Sequence, residues 1–160
     1  MATLRFCAAL ISLAGSALCQ PQSSLTVQGL GAKTATLTVA DLDKMPQQTV
    51  KTADHGTAVT FQGVRLADAL AAVDLPLGEQ FHSTGASYYL LVEARDGYRV
   101  VFAWAELDSG FMDKEIYLVT KRDGKPLAEK DGPFQVVAPG EKRNGRWIRQ
   151  VTALKIKQAN

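Results

Sequence analysis

The stretch Tyr88–Trp104, YYLLVEARDGYRVVFAW, decides the fold class. Two runs rich in aromatic and β-branched residues, Tyr88 to Arg95 and Tyr98 to Trp104, flank Asp96-Gly97. An Asp-Gly pair tolerates the positive φ angles of a two-residue hairpin loop, so the stretch predicts an antiparallel hairpin. Working outward toward the C-terminus, Ile116 to Val119 reads as a buried strand that ends at the Asp123-Gly124 turn. Phe134 to Ala138 is an apolar run that leads into Pro139-Gly140 and a polar loop. After the break at Asn144-Gly145, Arg146-Trp147-Ile148-Arg149 reads as a second strand, and Val151 to Ile156 alternates as a last one.

Toward the N-terminus the same signals recur. Leu25 to Gly29, Ala35 to Val39, Gln47 to Thr52 with Val50 inward, and Val59 to Gly63 are short strand candidates. Leu66, Leu70 and Val73 are spaced for one face of a helix over Leu66–Val73, with Pro76 beyond its end. Ala40 to Met45 fits one or two helical turns stopped by Pro46. The sum is an α+β fold of mixed, largely antiparallel sheets, made of short strands with few helices.

The chain has 160 residues, 46% of them hydrophobic and 21% charged, which is enough for one domain with a sizeable core. Arg5 followed by the apolar run Phe6 to Ala14, small residues and then Gln20-Pro21 reads as a signal peptide over 1–19, with the domain over 20–160. The apolar run is too short for a permanent membrane span, and no later one is longer. The chain is therefore expected to be exported, to the periplasm or beyond. A lipidated Cys19 would require a small residue before it, and Leu18 is not small. Cys7 and Cys19 are the only cysteines, so beyond Cys19 there is no thiol for a disulfide or a thiolate metal ligand.

Removing Arg5 from 18 basic and 16 acidic residues leaves a net charge near +1, which gives no general attraction to nucleic acid. Any basic site has to be local, and Asp131 to Arg149 supplies one. Backbone amides near Gly140, flanked by Lys142, Arg143, Arg146 and Arg149, are suited to a small anionic ligand; a solvated basic loop is the other reading. Asp54-His55-Gly56 pairs a carboxylate with a titratable histidine in a loop, so His55 is the candidate proton acceptor, with a plain turn as the alternative. Two histidines in all make a multi-histidine metal site unexpected.

The segments LTVADLDKMPQQTV, FQGVRLADAL, the DGY hairpin, IYLVTKRDGKPL and DGPFQVVAPGEKRNGRWIR, taken in that order, resemble the oxidoreductase molybdopterin-binding domain, the fold of sulfite oxidase and related molybdenum enzymes. The resemblance covers nearly the whole chain after residue 19. It implies a molybdopterin cofactor whose phosphate lies against the C-terminal motif, where Pro133, Pro139, Gly140 and Arg146-Trp147 fit the family pattern. Gly140, Lys142, Arg143, Arg146 and Arg149 are then the expected cofactor-binding residues. The family's arginine falls on Gln135, and its histidine falls near Lys130 or Asp131. The family's metal-ligating cysteine falls within Lys51–Gly56, KTADHG, which has none. An active form would be a molybdopterin-dependent oxidoreductase with His55 near a metal held by the pterin alone. The alternative is a non-catalytic module that binds a ligand or partner on the same scaffold.

Overall fold

The computed structural model describes residues 24–73 and 83–159. The expected signal peptide, both cysteines, Pro76 and His82 lie outside the described residues. The predicted hairpin is present as β5 (Tyr88–Ala94) and β6 (Arg99–Ala103). Its loop differs from the expected two-residue form. Ala94 N–H donates to Tyr98 O at 2.9 Å, and Gly97 N–H donates to Ala94 O at 3.1 Å, so three residues make the turn. Gly97 takes the left-handed conformation at φ 85°, and Asp96 Oδ1 accepts from Tyr98 N–H at 2.9 Å. The Asp-Gly pair does shape the turn, but with one more residue than its simplest use.

Next to β5 lies β10 (Val151–Gln158), and on its other side β1 (Ser24–Gln28) and β2 (Thr34–Thr38), giving the sheet order β2-β1-β10-β5-β6. Here β1 runs parallel to β10, and the other pairings are antiparallel. Alternation explains the packing: Leu25 and Val27 of β1, Leu90 and Val92 of β5, and Leu154 of β10 are fully buried on one face.

The second sheet is built on β3 (Gln48–Asp54), β4 (Thr57–Arg65) and β7 (Tyr117–Arg122). The outer edge of β7 is shared by β8 (Lys125–Pro126) at one end and β9 (Gln135–Val137) at the other. Val50, Phe61, Val64, Leu118 and Val136 join the first sheet's apolar residues in a single core cluster. Between β4 and β7 the register slips at Gln62/Gly63, and the two backbones close in there. A Cβ on Gly63 would stand 2.2 Å from Leu118 O and 2.5 Å from Val119 Cα, so only glycine fits.

Two short α-helices occur among the described residues. Thr38 and Asp41 form a reciprocal cap on α1 (Val39–Leu42), with Asp41 N–H to Thr38 Oγ1 at 3.2 Å and Thr38 N–H to Asp41 Oδ2 at 3.0 Å. The predicted helix over 66–73 forms as α2 (Leu66–Leu70) followed by a 3₁₀ turn over Ala71–Val73. The strand expected at Arg146–Arg149 does not form. Asn144–Arg146 is a 3₁₀ turn; Ile148 N–H donates back to Arg146 O at 2.9 Å, and its carbonyl accepts from Val136 N–H at 2.9 Å before β10 begins. Trp147 turns inward instead, edge-on to Phe61 with ring centroids 5.8 Å apart, and its Nε1–H donates to Ala138 O at 2.9 Å.

Candidate functional site

The loop between β3 and β4 consists of His55 at φ 49° and Gly56 at φ 85°. Two left-handed residues form the tight turn that suits the twist of a hairpin, and this aims His55 outward. Its neighbour Asp54 is nearly buried, with a side chain 10% exposed. Asp54 Oδ2 accepts from Arg122 Nη1 at 2.8 Å, and Oδ1 accepts from Asn144 Nδ2 at 2.9 Å. The hairpin tip is thereby fastened to the 141–145 loop. Tyr98 adds a second fastening, since its hydroxyl donates to Gly145 O at 2.9 Å.

Between these walls lies an open cleft of about 580 Å³, with Ala53, His55 and Gly56 on one side and residues 141–145 on the other. His55 Nε2 is 3.7 Å from Asp54 Oδ1. Lys142 and Arg143 are exposed and line the cleft with no ion-pair or hydrogen-bond partner among the described residues. Both carboxylates nearby are already matched to cations, Asp54 to Arg122 and Glu141 to Arg146. The free charge facing the cleft is therefore positive, and an anion would meet two cations whose charge is unspent.

The other residues that the sequence marked go elsewhere. Arg146 Nη1 and Nη2 each lie 3.0 Å from an oxygen of Glu106, Nε donates to Glu141 at 2.8 Å, Nη2 also meets Glu141, and Nη1 reaches Val101 O at 3.3 Å. Its guanidinium also lies 4.5 Å above the Phe102 ring. A guanidinium has five N–H donors, and all five are used here, so none is left for a phosphate. Arg149 pairs with Asp131 at 3.3 Å and does not line the cleft. Gly140, at φ 81°, supplies a left-handed turn beside Lys114. Gln135 is buried, and its Oε1 meets no donor among the described residues.

Asn144 and Arg122 are the residues that sequence reasoning missed. The Asn144-Gly145 pair has the look of a loop break, which hides a side chain that reaches Asp54 across 90 positions of chain. Burial drives the Asp54 carboxyl upward, but the hydrogen bonds from Arg122 and Asn144 outweigh it and leave the group below its ordinary value. A carboxyl lowered in the folded state adds stability above its unfolded value, and that contribution is lost as the pH falls through the folded value. We expect Asp54→Asn to lower the urea midpoint at pH 7, by about 1–3 kcal/mol of stability. The gap from the parent should close below about pH 4. A gap that is unchanged down to pH 3 would show that the carboxylate contributes nothing as a charge.

The chain belongs to the oxidoreductase molybdopterin binding domain family, which it matches over residues 17–160. Among solved structures, one similar in fold is the sulfane dehydrogenase SoxCD from Paracoccus pantotrophus, with TM-score 0.64 and 20% sequence identity. That match covers 83% of this chain and 37% of the SoxCD chain, so this chain spans little more than a third of its neighbour. No curated protein matches the sequence significantly. The antiparallel-dominated sheets and few helices agree with this family, as expected from the order of motifs.

The family implies a molybdopterin, and the two ends of that group fare differently here. Lys142 and Arg143 suit its phosphate. For the metal end, no cysteine occurs among the described residues, and no cluster there of three or more His, Cys, Asp or Glu side chains would hold a metal ion. The described residues thus offer cations to the cofactor's anion and no thiolate to its metal.

Proposed function

We propose that this chain is an exported domain of the molybdopterin-binding oxidoreductase family that holds an anionic ligand, foremost the phosphate of a pterin cofactor, in the His55 cleft. The observation that carries this is the pair of cations, Lys142 and Arg143, unpartnered among the described residues and set across from His55, while the carboxylates in and beside the cleft, Glu141 and Asp54, are already neutralised. When bound, a molybdopterin would supply redox chemistry. The chain's own part is to neutralise phosphate with Lys142 and Arg143, and to present His55 as a proton acceptor or donor steadied by Asp54. Arg146 neutralises Glu141, which lines the cleft, so that its charge does not oppose an anion.

A non-catalytic binding module on the same scaffold is the second reading, and the lack of a thiolate donor among the described residues favours it. Protein purified from its native compartment separates the two. Molybdenum and pterin at near-stoichiometric content support the cofactor reading, and their absence with retained binding of inorganic phosphate supports the module. The intact mass of the same material should lack residues 1–19. Calorimetric titration with phosphate should show the affinity falling roughly tenfold in Lys142→Ala and again in Arg143→Ala, since each charged contact contributes about 1.5 kcal/mol. Equal binding by parent and double variant would remove the cleft as the anion site.

A further inference from the structure

A second cleft, of about 350 Å³, opens beside α2 and lies apart from the His55 cleft. Its walls are Arg65 to Asp68 on one side and the segment from Glu106 to Ile116 on the other. The two walls are joined where Leu66 N–H donates to Ile116 O at 2.8 Å. Leu107 and Ile116 are each 8% exposed and supply apolar surface, and Met112 stands at the lining with 40% of its surface open. At this size the cleft is near the lower end of the roughly 300–1,000 Å³ typical of small-molecule pockets.

The charges around it divide clearly. Glu106 is held by Arg146. Asp108 is buried and accepts from Gly110 N–H at 2.8 Å. Arg65 and Glu115 pair at 3.0 Å, and the other oxygen of Glu115 accepts from Tyr117 OH at 2.7 Å. Two residues remain, Asp68 and Lys114, one of each sign. Neither has an ion pair or a side-chain hydrogen bond among the described residues, including with the other. A free carboxylate and a free ammonium beside an apolar surface are complementary to one chemical class: a molecule that carries both charges and an apolar group.

We propose that this cleft is a second ligand site, for a small zwitterion with an apolar side chain, of the size of a free amino acid. The ligand's ammonium meets Asp68, its carboxylate meets Lys114, and its side chain covers Leu107 and Ile116. This reading does not depend on the anion cleft, because the lining residues of the two are different.

Amide NMR titration of the full chain tests it with three probes: L-leucine, leucinamide, which carries only the positive charge, and 4-methylpentanoate, which carries only the negative one. Leucine should give saturable shifts confined to residues 65–68 and 106–116, and each singly charged probe should bind at least tenfold more weakly. Asp68→Asn and Lys114→Gln should each weaken leucine binding at least tenfold; both side chains are unpartnered, so the variants keep the fold, which their amide spectra report directly. The proposal is overturned by an absence of saturable shifts, by shifts at residues 53–56 and 141–145 instead, or by affinity that survives either substitution. Shifts confined to the His55 cleft would leave the anion reading standing while removing this one.

Discussion

Arg146→Ala should destabilise the protein by about 2–3 kcal/mol, the cost of leaving a half-buried carboxylate pair without its cation, discounted for partial solvent access. The thermal midpoint should fall by roughly 5–10 °C. Arg146→Lys should recover little, because one ammonium cannot reproduce a fork that engages Glu106 and Glu141 together and also covers Phe102. The effect should depend on pH. Burial works to raise the Glu106 carboxyl, but the hydrogen bonds from Arg146 and from Ala103 N–H prevail and lower it. Stability from a lowered carboxyl is present above its unfolded value and disappears as the pH falls through the folded one, so parent and variant should converge in acid. A second consequence concerns association. Among the described strands β6 lies at the sheet's edge, and the Arg146–Glu106 pair occupies Val101 O and Ala103 N–H on it. Without Arg146, Val101 O loses its donor and Glu106 loses the cation that holds it against Ala103 N–H, so the edge opens to a strand from another molecule. Arg146→Ala should therefore show a concentration-dependent rise in mass by light scattering. A variant of unchanged stability that loses pterin or molybdenum would instead make Arg146 a cofactor ligand.

Gly63→Ala should have a larger effect. The added methyl would meet backbone, Leu118 O and Val119 Cα, and neither can move aside as a flexible side chain can. Relief requires β4 and β7 to separate at the bulge, which loosens the centre of the second sheet. The expected loss is about 3 kcal/mol or more, above the usual range for overpacking because the obstacle is main chain. Soluble yield and the urea midpoint measure it. A variant within about 0.5 kcal/mol of the parent would mean that the close approach at Gly63 is not maintained in solution.

The fold was largely legible because period-two alternation and turn residues report backbone geometry directly. β5, β6, β7 and β10 lie where their apolar patterns put them, and the order of motifs agreed with the family. Arg146–Arg149 misled because Trp147 and Ile148 are buried as a strand's residues would be. Their burial arises from a turn that drops Trp147 against Phe61. The site was legible in composition but not in arrangement. A run of four basic residues looks alike whether each cation is free or engaged, and their partners, Glu106 and Asp131, lie 40 and 18 positions away. Only the folded chain separates Lys142 and Arg143, which keep their charge available, from Arg146 and Arg149, which do not.

The position of β10 has a consequence for the order in which the molecule assembles. Among the described strands it is the middle one of the first sheet and the last in sequence, and it supplies the link between the β1–β2 and β5–β6 hairpins. During synthesis both hairpins leave the ribosome without the strand that unites them, and each exposes an apolar face until Val151–Gln158 follows. Closure of that sheet is therefore a late event with long loops to gather, the kind of topology that folds slowly. A nascent chain stopped short of residue 151 should remain a good chaperone client, however well its second sheet has formed.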